Sequence, residues 1–275
     1  MIIYHMKQNN MNGVVWCRGC SFSFGEGLQY LSNLPSVIIP KRHQFDYFEL
    51  RHSQYRFIQN NRYSKLLADK LGTIDVNTSA NGGTNNDIYN ALFTLYNTKN
   101  EAKQDRMAFQ SETFVPVCDV EVIVIQFTNI FRDALILDGI KYPLHNDVTP
   151  TFDEYVELFI KKNMTLEQFC ERAAQQVLDR FKVLLQKIEQ INSNIKIRVI
   201  AWENDIDLVM RNDDYYKDKV VNFEYKDKIF KNLREIIYSY SNLTIAEMFT
   251  RRCINDQHMN IEGHKLIAES IYKTI

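Results

Sequence analysis

Apolar and polar positions along this chain fall into short blocks whose period changes from one block to the next, which predicts strands alternating with helices. Residues 13–19 carry Val14, Val15, Trp16 and Cys17 in an unbroken run and predict a first core strand. Residues 28–34 fit a short helix, whereas 35–56 have no clean period and are expected to run over the surface. Leu66, Leu67 and Leu71 share one face of a helix over 63–71, and Gly72 follows as a C-cap glycine would. A second strand is expected at 73–77. Thr84 then caps a helix running to about residue 97, with Ile88, Leu92 and Leu95 turned inward. Residues 119–127 carry a nearly continuous β-branched run, Val120, Val122, Ile123, Val124 and Ile125, the pattern of a central parallel strand buried on both faces. Residues 130–163 show no clear period and contain Pro143 and Pro150, as expected of a lid or a specificity insertion. Thr165, with Gln168 three residues on, forms a capping box for a long amphipathic helix to about residue 191. A fourth strand at 195–202, a charged connection over 203–228, a helix at 229–238, a short last strand at 243–248 and a closing helix at 261–275 complete the pattern.

Alternation of this kind predicts a parallel sheet covered by helices on both faces, built by right-handed crossovers. With 275 residues, 45% of them hydrophobic and 24% charged, the chain has enough apolar material for one large core, and we expect a single domain over 1–275. Residues 1–12 are polar and asparagine-rich and are expected to be flexible. The formal net charge of -1 provides no long-range field for nucleic acid or for an anionic membrane surface. No apolar run reaches the ~18 residues of a membrane helix, and residues 1–12 lack a secretory leader pattern. A cytoplasmic location is the expectation. The five cysteines are odd in number and scattered, which fits a reducing compartment better than a disulfide framework. Cys17 and Cys20 have CxxC spacing, but no second pair completes a zinc site, so neither a metal nor a redox role is expected of them.

Candidate chemistry begins where the first strand stops at small residues, Gly19-Cys20-Ser21. The end of a parallel strand is where open α/β sheets place their ligands. A serine there is a poor nucleophile unless a base and oxyanion-stabilising dipoles stand beside it, and by itself it more often satisfies a turn amide. Near the other end, Asn255-Asp256-Gln257-His258 puts a carboxylate two residues before a histidine and just ahead of the last helix. Between them, Gly82 and Gly83 allow close backbone approach. A phosphate loop shares that strand, glycine turn and helix layout, but this chain has neither GxGxxG nor a P-loop lysine.

Together these blocks resemble the SGNH (GDSL-like) hydrolase family, from about residue 13 to 275. The first block is Gly19-Cys20-Ser21, the second Asn77-Thr78-Ser79-Ala80-Asn81-Gly82-Gly83, the third Gln126-Phe127-Thr128-Asn129 and the last Asp256 with His258. The resemblance implies a three-layer α/β/α sandwich with a mainly parallel five-stranded sheet of the flavodoxin-like type. It implies a serine esterase or carbohydrate O-deacetylase that passes through an acyl-enzyme on Ser21, with His258 as base and Asp256 as its orienting acid. Ser21 and Gly82 would lend backbone amides to the oxyanion hole, and Thr128 a third donor, with Asn129 as its rival. A small-molecule or glycan ester is the expected substrate; an O-acyltransferase or a carbohydrate-binding module on the same fold are the alternatives. Arg132, Trp202 and Glu203 are candidates for substrate contact by position. The chain departs from the pattern in several places. Cys20 replaces an aspartate and offers itself as an alternative nucleophile, Gln126 and Thr128 stand in the places of the third block's glycine and asparagine, and Asn255 occupies the family's usual acid position.

Overall fold

The computed structural model describes residues 13–25, 28, 52–80, 82–96, 115–130, 134–137, 140–143, 163–237 and 258–275. Strand β1 (Val14–Arg18) leads through Gly19 and Cys20 into the four-residue α1 (Ser21–Phe24), and α2 (His52–Asn61) and α3 (Tyr63–Leu71) precede β2 (Ile74–Asn77). Helix α4 (Asn85–Tyr96) comes before β3 (Val120–Phe127), which is followed by the hairpin β4 (Ala134–Leu137) and β5 (Ile140–Pro143). The long α5 (Leu166–Ile191), β6 (Lys196–Ala201), α6 (Asn204–Asn212), a second hairpin β7 (Phe223–Tyr225) and β8 (Lys228–Phe230), α7 (Leu233–Ile237) and α8 (Ile261–Tyr272) complete the described elements.

The central sheet has the order β2-β1-β3-β6, with every pair parallel. The chain steps outward from β1 to β2 and then returns past β1 to β3. The order therefore reverses between β1 and β3, and the C-terminal ends of strands at such a reversal are where open α/β sheets bind ligands. Alternation along the strands divides the core in two. Val14, Trp16, Ile123, Ile125 and Phe127 face α4, α5 and α6, while Val15, Cys17, Val122 and Val124 face α3, α7 and α8. This is the α/β three-layer arrangement that the hydrophobic pattern predicts.

The expected sheet of five strands has four among the described residues. The stretch at 243–248 lies outside them, and the free edge of β6 is instead touched by a short segment. Val199 N–H donates to Lys219 O and Val221 N–H to Val199 O, a single parallel bridge. The connection expected over 203–228 contains α6, whose buried Ile206, Val209 and Met210 keep helical spacing among charged neighbours. The helix expected from residue 229 begins only at Leu233, because Lys226 turns with φ 52° and residues 228–230 pair back as β8. Within 130–163 the described part is the β4–β5 hairpin. Residues 1–12 and 29–34 lie outside the described residues. No helix among the described residues is long and apolar enough to cross a membrane.

Helix ends follow their sequence signals. Gly72 ends α3 at φ 69°, and Thr165 and Gln168 form the capping box of α5. Thr84 caps α4 by accepting from Asp87 N–H at 3.1 Å, while Thr84 N–H donates to the Asp87 carboxylate. Just before α3, the Arg62 guanidinium donates through Nε and Nη2 to one oxygen of Asp75 on β2, with only 5% and 6% of the two side chains exposed. Removing one partner of so buried a pair strands the other charge. We expect Asp75→Ala to lower the unfolding free energy by about 3 kcal/mol or more, and the double variant Arg62→Met/Asp75→Leu to recover most of that loss in urea titrations. A single-variant loss below about 1 kcal/mol would show the pair to be effectively solvated.

Candidate active site

Strand β1 ends in a turn that leaves no room for a side chain at Gly19. A Cβ there would lie 2.2 Å from Ser23 Oγ and 2.9 Å from Gln126 Cβ. The close approach folds Ser21–Phe24 back over the end of β3 as α1, closed by Gly25 at φ 91°. Ser21, the first helical residue, is buried, and its Oγ lies 2.9 Å from His258 Nε2 across 237 positions of sequence. Cys20, the other candidate, is 1% exposed, and its thiol is directed at Gln126 Oε1 at 3.3 Å.

Beneath the turn lies a chain of buried polar groups. Ser23 Oγ donates to Gln126 Oε1 at 3.0 Å and stands 2.5 Å from the Tyr63 hydroxyl, which is 3.2 Å from Cys17 Sγ. Because the Ser23 proton is committed to Gln126, the Tyr63 proton points to Ser23 and the Cys17 thiol donates to Tyr63. Gln126 Nε2 in turn donates to Phe127 O at 3.0 Å. Burial pushes the Cys17 thiol up to about 12 and the Tyr63 phenol well above its ordinary value, so the chain stays uncharged.

His258 is held from the opposite end of the chain. Met259 beside it is buried, and Asn260 caps α8 by accepting from Gly263 N–H. The imidazole stacks on Phe22 with ring centroids 4.7 Å apart, and Phe22 lies against Trp202 at 4.3 Å. One turn into α8, the fully buried His264 accepts from Tyr63 N–H through Nδ1 at 3.2 Å, which leaves its proton on Nε2. Tyr63 thus touches both halves of the site: its hydroxyl meets the turn carrying Ser21, and its amide meets the helix behind His258.

The remaining candidates divide. The second block runs along the end of β1, with Thr78 N–H on Cys17 O and Ala80 N–H on Gly19 O. Within it Gly82 is exposed at φ 67°, while Gly83 is buried where an added Cβ would meet Gly19 O at 3.4 Å. Thr128 is buried, and both of its backbone groups are clamped by Asn85: N–H to Oδ1 at 2.9 Å and O from Nδ2 at 3.2 Å. Asn129 is half-buried. Trp202 carries the far end of the aromatic stack, and Glu203 is buried and accepts from Arg234 at 3.0 Å. Arg132, Asn255 and Asp256 lie outside the described residues. Among the described residues no group of three or more His, Cys, Asp or Glu side chains is placed to hold a metal ion.

Three contributors were not singled out from the sequence as partners of these groups. A polar residue inside the apolar run of β3 is the signal that marks Gln126. Asn85 reads as an ordinary first residue of a helix, and nothing distinguishes Tyr63 among 15 tyrosines.

His264 gives the site a pH signature. Burial first, then the neighbouring His258 and Arg62, lower its pKa from 6.5 to about 3. The folded protein therefore keeps it neutral where the unfolded chain would protonate it. Its contribution to stability is complete above pH 6.5 and falls as the pH drops toward 3, by up to about 1.4 kcal/mol per pH unit. His264→Gln keeps an acceptor for Tyr63 N–H and does not titrate. In urea unfolding from pH 7 to 4, the parent is expected to lose stability relative to this variant as the pH falls; parallel curves would contradict the assignment.

No family model matches the sequence, and no curated protein matches it. Solved structures similar in chain trace include a carbohydrate esterase whose active site displays divergent catalytic and non-catalytic binding functions. It shares 11% identity and a TM-score of 0.44, over 98% of this chain and 66% of that one. A lipolytic protein of the G-D-S-L family from Desulfitobacterium hafniense DCB-2 matches at 14% identity and TM-score 0.44, over 96% of this chain and 100% of the other. The acetyl xylan esterase Est2A from the rumen bacterium Butyrivibrio proteoclasticus matches at 13% identity and TM-score 0.46, over 96% and 63%. The chain thus spans less than two thirds of the full length of Est2A and just under two thirds of that of the first carbohydrate esterase.

Proposed function

We propose that this chain is a serine esterase acting on small-molecule or glycan esters, including carbohydrate O-acyl groups, through an acyl-enzyme on Ser21. The observation that carries the reading is the 2.9 Å contact between Ser21 Oγ and His258 Nε2 at the reversal point of the sheet. With Nε2 unprotonated, the Ser21 hydroxyl donates to it. As Oγ attacks the ester carbonyl carbon, that proton passes to the imidazole. Collapse of the tetrahedral intermediate breaks the carbon–oxygen bond to the alcohol, which leaves with the proton from the imidazolium. Water, losing a proton to the same imidazole, then attacks the acyl carbon; the bond to Ser21 Oγ breaks, the carboxylic acid leaves and the imidazolium returns its proton to Ser21.

In this proposal Asp256 orients His258 and fixes its tautomer. The oxyanion receives the amides of Ser21 and Gly82 and the hydroxyl of Thr128, with Asn129 as the rival donor. The second block's hydrogen bonds to Cys17 O and Gly19 O support the part of Gly82, since they lay the glycine turn beside the nucleophile turn. Strand alternation supports Thr128, which follows Gln126 by two residues, and Gln126 faces Cys20 and Ser23. Arg132, Trp202 and Glu203 are assigned to substrate contact, with the contact of Trp202 to Phe22 in support.

Labelling with a fluorophosphonate and hydrolysis of p-nitrophenyl acetate test the proposal. Ser21→Ala is expected to abolish both, while Cys20→Ser, which keeps a donor for Gln126, retains most of the activity. Folded parent protein that neither labels nor turns over would point to a binding module instead, and acyl transfer to an added carbohydrate acceptor would redefine the enzyme as a transferase.

A second set of variants tests the oxyanion donors. Thr128→Val keeps the shape and removes one hydrogen-bond donor, a change that commonly costs about 100- to 1000-fold in turnover. A Thr128→Val enzyme within a few-fold of the parent, beside a crippled Asn129→Ala, would move the third donor to Asn129.

A further inference from the structure

Two of the places where the chain departs from the family pattern, Cys20 in the first block and Gln126 in the third, are 106 residues apart in sequence and in contact in space. Gln126 is fully buried, and its carboxamide oxygen collects three donors: Cys20 N–H at 3.4 Å, Cys20 Sγ at 3.3 Å and Ser23 Oγ at 3.0 Å. Its nitrogen is occupied by Phe127 O. The orientation of the amide is therefore settled by chemistry. A backbone N–H on one side demands the oxygen, and a backbone carbonyl on the other demands the nitrogen. Cys20 and Ser23 flank Ser21, so one oxygen on a central strand pins the nucleophile turn on both sides of the serine. Gly19 closes the arrangement, since any side chain there would displace Ser23 or Gln126.

We infer that Gln126 is a positioning residue for Ser21, and that Gln126 and Cys20 form one compensated pair in which neither departure from the pattern is tolerated without the other. The inference rests on Ser21 being the nucleophile proposed above. A glycine at 126 would leave Cys20 N–H and the Ser23 hydroxyl without their buried acceptor. An aspartate at 20 would set a carboxylate against Gln126 Oε1. Flipping the amide to meet that carboxylate would turn its nitrogen toward Cys20 N–H and its oxygen toward Phe127 O. Each single change is therefore frustrated, whereas in Cys20→Asp/Gln126→Gly no amide oxygen opposes the carboxylate, which can itself accept the Ser23 proton.

The test compares the parent with Cys20→Asp, Gln126→Gly, their double variant and Gln126→Met, which fills the space without an acceptor. Each is assayed, at a temperature where circular dichroism shows it folded, for the rate of fluorophosphonate labelling at Ser21 and for kcat and KM on p-nitrophenyl acetate. Gln126→Met is expected to lower the labelling rate and kcat by about 10- to 100-fold with KM within about 3-fold, as misplacement of a reacting group does. The double variant is expected to run at least about 10-fold faster than the product of the two single effects. Single effects that simply multiply, or a Gln126→Met protein labelling at the parent rate, would overturn the pairing while leaving the esterase proposal intact. A folded parent that does not label would overturn both.

Discussion

A missing side chain at Gly19 is the constraint on which the site depends. Ser23 and Gln126 occupy the space that any larger residue would need, so the chain reverses within a few residues of leaving β1 and presents Ser21 at the sheet edge. The reversal brings polar groups into a nearly water-free place, where an unsatisfied donor costs about 1–3 kcal/mol. The chain of bonds from Cys17 through Tyr63, Ser23 and Gln126 to Phe127 O answers that cost with each proton directed at one acceptor. A buried network satisfied in this way is stiff, because no member can rotate without orphaning its neighbour.

Stiffness beneath Ser21 matters only if His258 is held in the same frame, and Tyr63 supplies that link. It sits at the first position of α3, where helix geometry leaves its backbone N–H without an intrahelical partner. His264 on α8 accepts that N–H, while the Tyr63 hydroxyl reaches Ser23 on the other side. Stacking of His258 on Phe22 adds a second link, since Phe22 is the residue after Ser21. Asn85 plays a comparable part between α4 and the end of β3, with one carboxamide holding both backbone groups of Thr128. Side chains reaching across the sheet edge, more than the loops themselves, thus set where the blocks meet.

Much of this protein was determined by its sequence alone. Strand and helix order, the caps at Thr84 and Thr165, the C-cap at Gly72 and the buried central strand are local matters, written in periodicity and in residues with one strong conformational preference. Ser21 and His258, which meet at 2.9 Å, stood out as candidates because each stands beside a recognisable break, one after a strand and one before a helix. Helix α6 was hidden because its apolar positions are few among charged neighbours, and the start of α7 was displaced because the pairing of β8 with β7 overrides local preference. Only the tertiary structure decided that the edge of β6 meets residues 219–221, that Gln126 faces Cys20, and that Tyr63 joins the two ends of the chain. Each of these is a contact between residues far apart in sequence, formed once the sheet has aligned its strands, and no local spacing encodes it.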